Sequence, residues 1–272
     1  MVQTKSTIPI DFDDVGAGDP ALLCLPGWCV DRGPFDGLVS ACSRTRRVLS
    51  MDWRGHGRSG PSPGDFGESA LVEDAEAVIR ESGAERVVPV AMSHSGWVAI
   101  ELRRRLGGRI PAIVLLDWLV LDPPPPFLGA LAALQDPATW QATRDQLFGM
   151  WLHGVDQPEI IRLVREGMGA YGAGMWARAG REIGNAYRRE GNPLKALAAL
   201  DPPLPALHLY AQPEDPGFLQ AQESFAATHP WFTVRRLKAR SHFPTMEVPE
   251  DMARAIESFL GRGGFAAQGG RS

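Results

Sequence analysis

Ser93 stands in the stretch PVAMSHSGWVAIEL, residues 89–102, where an apolar run gives way at once to a helical pattern. A serine on so sharp a strand-to-helix turn presents its hydroxyl outward, as a nucleophile or as a hydrogen-bonding group. Such a turn requires small residues two before and two after the serine. Ala91 and Ser95 satisfy that requirement for Ser93. Ser95 fails the same test, because bulky Trp97 follows it. The plainer account is a serine that caps the helix; the two small neighbours favour the turn.

A base and an acid are expected further along the chain. His242, in ARSHFPTMEVP, follows the last expected strand and precedes the last expected helix. Serine, acid and histidine then come in the chain order of a hydrolytic triad. His94, beside Ser93, is a second candidate for substrate contact. His56, His153, His208 and His229 fall in a turn, the long helical segment, a strand and a helix end, and are read as packing or solvated groups. Two places could supply the acid: Asp117 at the end of AIVLLD, or Glu214 and Asp215 in YAQPED. An aspartate closing a wholly apolar strand needs a partner, so Asp117 is preferred, with Asp215 as the alternative. The loop in CLPGWC, residues 24–29, is placed to give one oxyanion-binding amide, that of Trp28, and His94 the other.

These residues need a scaffold of strand ends. Short apolar runs at 7–13, 21–26, 46–52, 86–92, 112–117, 206–211 and 232–238 read as strands, with Pro89 a mild objection to the fourth. Amphipathic segments at 69–82, 94–106 and 248–261 read as helices between and after them. After LDPPPP at 121–126 the pattern is helical to about residue 200. The expected fold class is therefore α/β: a mostly parallel central sheet flanked by helices, the α/β-hydrolase fold, with DWRGHGRSG at 52–60 as the turn that edges such sheets. The expected core comprises 1–122 and 201–262, the inserted helical cap 123–200, and a disordered tail 263–272.

Composition narrows the function. A net charge of −4 gives no electrostatic footprint for nucleic acid or an anionic membrane. No apolar run is long enough to span a bilayer, and the amino terminus lacks the pattern of a secretory signal. Three cysteines, Cys24, Cys29 and Cys42, lack metal-ligand spacing and suit a reduced, cytoplasmic protein. Eight tryptophans stand against three tyrosines. Trp28, Trp97 and Trp118 lie near the oxyanion loop, Ser93 and Asp117, and Trp151 lies in the cap. This points to a flat aromatic substrate held by stacking, with Trp140, Trp176 and Trp231 left to fill the core.

LPGWC, DWRGHG, SHSGWV, DWL, FGMWLHG, HPWF and SHFP together resemble the cofactor-independent 3-hydroxy-4(1H)-quinolone 2,4-dioxygenases, over about residues 20–260. The resemblance implies a small aromatic heterocycle and O2 as partners, with no metal, flavin or haem. It implies that His242, oriented by Asp117, takes the 3-hydroxyl proton of the substrate. The anion then reacts with O2, and ring opening yields carbon monoxide and an N-acylanthranilate. Ser93 would hydrogen-bond substrate without being acylated; Trp28, His94 and Trp151 match substrate-binding positions. Val30 and Met92 stand where the family places histidine and Ser95 where it places glycine, which implies a more apolar or differently substituted quinolone.

Two other readings use the same residues. A serine hydrolase acting on an aromatic ester, amide or lactone would employ Ser93, His242 and Asp117 as a triad. A non-catalytic small-molecule receptor on this fold would need none of the three.

Overall fold

A computed structural model of the chain describes residues 8–262. The tail expected at 263–272 lies outside the described residues. The strands β1 (Phe12–Val15), β2 (Ala21–Leu25), β3 (Val48–Met51), β4 (Val87–Met92), β5 (Ile113–Leu116), β6 (Ala206–Tyr210) and β7 (Phe232–Arg236) form one sheet. Their spatial order is β1-β3-β2-β4-β5-β6-β7. β1 runs antiparallel to β3 and every other pairing is parallel.

The parallel strands are continuous apolar runs because helices cover them: β2, β3, β4, β5 and β6 are buried along their whole lengths. Pro89 fits because β4 pairs with β2 from Val87 onward but with β5 only from Val90. The proline thus sits where the strand has one neighbour rather than two. β1 begins later than its sequence pattern implied. Pro9 has no amide hydrogen to give a ladder, and its carbonyl instead accepts from Gly60.

Helices α1 (Asp36–Cys42), α2 (Glu68–Glu81) and α3 (Ser95–Leu106) follow β2, β3 and β4. Between β5 and β6 come α4 (Pro125–Ala133), α5 (Trp140–Trp151), α6 (Pro158–Arg162), α7 (Ala173–Glu190) and α8 (Pro193–Ala198). The proline run ends where α4 starts, with prolines in its first turn, where no amide hydrogen is missed. The chain closes with α9 (Pro216–Thr228), α10 (Pro244–Glu247) and α11 (Pro249–Arg262). Among the described residues, no helix is long and apolar enough to cross a membrane.

α7 is bound to the sheet layer by polar contacts along its length. The Glu182 carboxylate accepts the Glu68 amide at 2.9 Å, at the start of α2. This satisfies a helix N-terminal donor and complements its dipole. Gly67 makes the approach possible, since a Cβ there would overlap that carboxylate. Arg178 and Arg181 pair with Asp65, Arg189 with Glu68, and Glu190 with Arg104. Tyr187 donates to the Leu119 carbonyl at 2.7 Å.

Candidate active site

Four strand ends converge on one cavity of about 370 Å³. Ligand sites in open α/β sheets form outside the carboxyl ends of the strands, and Trp28, Ser93, Asp117 and His242 reach this cavity from beyond β2, β4, β5 and β7. Helices α4, α5 and α7 close over it with Leu131, Leu147, Trp151 and Ile183 among the lining side chains.

Ser93 follows β4 with φ of 54°, the left-handed conformation that a sharp turn into a helix demands. Its amide donates to the Leu116 carbonyl at 2.7 Å, which pins the turn to the neighbouring strand. Ser95 ties the same turn down: its hydroxyl donates to the Pro26 carbonyl, which also accepts from the Trp53 indole at 2.7 Å. Ser95 thus joins the turn to the loop after β2. Gly96 lets the helix sit close, because a methyl there would overlap the Trp118 ring.

Asp117 also takes a positive φ, 45°, at the end of β5. Its buried carboxylate has three donors. Oδ2 accepts the amides of Ala211 at 2.9 Å and Gln212 at 3.3 Å, while Oδ1 meets His242 Nδ1 at 3.2 Å. With its Nδ1 proton held by the carboxylate, His242 keeps its Nε2 lone pair free, the arrangement of a general base. The Trp151 indole stacks on this imidazole, centroids 5.1 Å apart and planes at 12°. Neither alternative acid joins it. Asp215 caps α9 through the Gly217 amide, and Glu214 lies at the cavity mouth, 3.6 Å from Arg236.

Among the described residues, no hydrogen bond runs from the Ser93 hydroxyl to His242, and the Trp28 and His94 amides have no acceptor. Two unsatisfied amides beside a cavity can hold an oxyanion. The loop bearing Trp28 is held from behind. His56, almost wholly buried, accepts the Cys29 amide on Nε2 at 3.2 Å, and its Nδ1 meets the Arg54 carbonyl at 3.0 Å. Cys29 itself has φ of 58°. Burial pushes the His56 pKa down to about 4, so the ring stays neutral and can accept. The buried Cys29 thiol is pushed up for the same reason.

Several side chains lie elsewhere than their sequence positions implied. Trp97 and Trp118 do not line the cavity; they pack edge to face, 4.9 Å apart, beneath the turn. Trp176 is buried in the core as read, and it also lines the cavity. His153 also faces the cavity, and His56 braces a loop rather than merely filling space. His208 is buried, with Nδ1 at 2.6 Å from Gln222 Oε1 and Nε2 accepting the Trp118 amide at 3.3 Å. His229 stacks on Phe225 far along the chain. Val30 and Met92 line the cavity, making one wall apolar. Among the described residues, no group of three or more histidine, cysteine or acidic side chains is set to hold a metal ion.

Comparison with known proteins adds a chemical context. Residues 22–255 match the model of the alpha/beta hydrolase family. The 2-heptyl-3-hydroxy-4(1H)-quinolone dioxygenase of Mycobacteroides abscessus is 36% identical over 266 residues, 96% of this chain and 99% of that protein. The 1H-3-hydroxy-4-oxoquinoline 2,4-dioxygenase of Pseudomonas putida is 37% identical over 242 residues, 89% of this chain and 91% of that protein. Among solved structures, a variant of AqdC in complex with its substrate, described for ring-cleavage of the Pseudomonas quinolone signal, superposes with a TM-score of 0.90. It is 35% identical, with 96% of this chain and 98% of that chain covered.

Proposed function

The chain belongs to the 3-hydroxy-4-quinolone 2,4-dioxygenases, within the alpha/beta hydrolase family; on that premise we propose how its own residues open the ring of such a quinolone with O2. The observation that carries the mechanism is the His242–Asp117 contact at 3.2 Å, which leaves one imidazole nitrogen free beside an apolar cavity.

His242 Nε2 takes the proton of the substrate's 3-hydroxyl, and Asp117 stabilises the imidazolium that forms. The electron-rich ring anion supplies the electrons that reduce O2, and a peroxide forms at C2. Its outer oxygen attacks C4, whose own oxygen becomes an oxyanion between the amides of Trp28 and His94. Collapse breaks the bonds from C3 to C2 and C4 and the O–O bond. C3 leaves with its oxygen as carbon monoxide, and one atom of O2 ends in the acyl group and the other in the carboxylate of an N-acylanthranilate. No metal, flavin or haem enters this sequence, because the substrate is the reductant.

Ser93 acts as a hydrogen-bonding group toward the substrate. Trp28, His94 and Trp151 bind the flat ring by stacking and edge contacts, and the aliphatic wall of α4, α5 and α7 receives a 2-alkyl substituent. The helices between β5 and β6 serve as a cap that keeps solvent protons from the anion. The three free, buried cysteines suit a reducing cytoplasm.

An oxygen electrode with a panel of 2-alkyl-3-hydroxy-4-quinolones and no added metal tests the reading, with carbon monoxide assayed in parallel. His242→Ala should abolish uptake, whereas Ser93→Ala should only weaken it. Full activity in His242→Ala would overturn it, as would a protein that takes up no oxygen with any of the quinolones but turns over an ester until fluorophosphonate labels Ser93.

A further inference from the structure

Ring opening changes the charge of the cavity's occupant. On the reading above, which this inference extends, the 3-hydroxyquinolone enters neutral and the product leaves as a carboxylate. The lining is mostly apolar, and apart from histidines its charged side chains are Asp117, Glu214 and Arg240. Asp117 is committed to His242 and two amides. Arg240 is therefore the one permanently cationic side chain among the described residues that line the cavity.

Its guanidinium carries no ion pair: Arg240 is exposed, and among the described residues no carboxylate lies within ion-pairing distance of it. Nη1 donates to the Gly154 carbonyl at 3.2 Å. That bond spans the cavity mouth. Arg240 lies two residues before His242, and Gly154 lies three residues after Trp151, the indole stacked on His242. The backbone of Arg240 is fixed independently of its side chain. Its amide donates to Glu247 at 3.0 Å, the Ser241 amide donates to the same carboxylate at 2.7 Å, and the Arg240 carbonyl accepts from Gln212 at 2.6 Å. The guanidinium can thus leave Gly154 without dragging the base. Glu214, which shares a surface groove with Arg240 and also lines the cavity, is a like charge to a departing carboxylate and repels it from its own part of the lining.

We propose that Arg240 is the docking point for the carboxylate created by ring opening, and that this anion replaces the Gly154 carbonyl as its acceptor so that the mouth parts and the product leaves. A guanidinium forks onto a carboxylate with two charge-assisted hydrogen bonds, each stronger than its single bond to a neutral carbonyl. The neutral substrate has no comparable claim on it, so the mouth distinguishes product from substrate.

The test compares N-octanoylanthranilate with its methyl ester, as inhibitors of oxygen uptake and by calorimetric binding. Wild type, Arg240→Lys and Arg240→Met are used at low and high salt. The wild type should bind the free acid more tightly than the ester by about tenfold or more, with the margin shrinking as salt rises. Arg240→Met should abolish the margin and Arg240→Lys retain part of it. An acid-over-ester margin in Arg240→Met equal to that of the wild type overturns the proposal. Oxygen uptake reports separately on the dioxygenase reading: its absence in wild type with every quinolone sinks that reading, whereas intact uptake with an Arg240-independent margin sinks only this one.

Discussion

The indole of Trp118 donates its N–H to Nδ1 of His94 at 3.1 Å. That contact decides where the His94 proton sits, because an accepting Nδ1 leaves the hydrogen on Nε2. Burial, reinforced by neighbouring His242, pushes the pKa of His94 down to about 3. The ring is therefore a neutral donor, stacked on Phe127 at 5.7 Å, and on the proposed mechanism it leaves the substrate proton to His242. Trp118→Phe should release the tautomer, visible in the 15N shifts of His94. It should raise KM by roughly threefold to tenfold, the worth of one hydrogen bond. An unchanged tautomer in the variant would refute this role.

Asp117→Asn should be more damaging than its size implies. Oδ2 accepts two backbone amides while Oδ1 faces His242 Nδ1. A carboxamide must turn its NH2 toward one of these donors, and the least costly relief is for His242 to give up its Nδ1 proton and hold it on Nε2. That tautomer is no base. A fall in kcat of about 10²–10⁴ is expected, with folding retained by circular dichroism. Wild-type kcat would show that the carboxylate does not orient the imidazole.

His56 reaches the chemistry only through the loop it braces. His56→Gln keeps an acceptor near Nε2 for the Cys29 amide, whereas His56→Leu removes it. The Leu variant should lose about tenfold or more in kcat, in proportion to displacement of an oxyanion donor. KM should move less, and the Gln variant should recover most of the loss. Equal losses in both variants would assign His56 to packing alone.

Gly96→Ala tests the packing beneath the turn. A methyl there overlaps the buried Trp118 ring, so overpacking should cost about 1–3 kcal/mol. That corresponds to a drop in Tm of several degrees for a domain of this size. A Tm equal to wild type would mean that the ring has room to retreat.

Acid should destabilise the fold before carboxylates are titrated. His56 and His208 are buried neutral, each with its pKa lowered from 6.5 to about 4. As pH falls below about 6.5 the unfolded chain takes up these protons first, so stability is lost down to about pH 4 and is fully present above 6.5. Each histidine contributes a slope of about 1.4 kcal/mol per pH unit in that window. Urea midpoints from pH 7.5 to 4.5 would measure it, and His56→Gln should flatten the slope by one histidine's share. A midpoint constant over that range would contradict the argument.

Local pattern carried much of this architecture. The strand runs and the turn chemistry around Ser93 are short-range signals, and Asp117 stood out because a carboxylate closes an otherwise apolar strand. What was not legible came from long-range packing. Trp176 and Trp118 are both apolar residues on patterned segments, and only the docking of α7 and the closeness allowed by Gly96 decide which faces the cavity. Arg240 and His153 likewise reach the mouth from loops whose paths no periodicity describes. His56 looked like a turn residue because its partner, Cys29, lies 27 positions away.

The Glu182 carboxylate at the start of α2 also bears on engineering. The inner wall that α7 supplies cannot be transplanted from a relative as a self-contained cassette. A chimera exchanging residues 173–190 would have to bring compatible partners for Asp65, Glu68 and Arg104, and keep glycine at 67. Remodelling of the chamber for new side chains is better begun from α4 and α5, which lack that set of ties to α2 and α3.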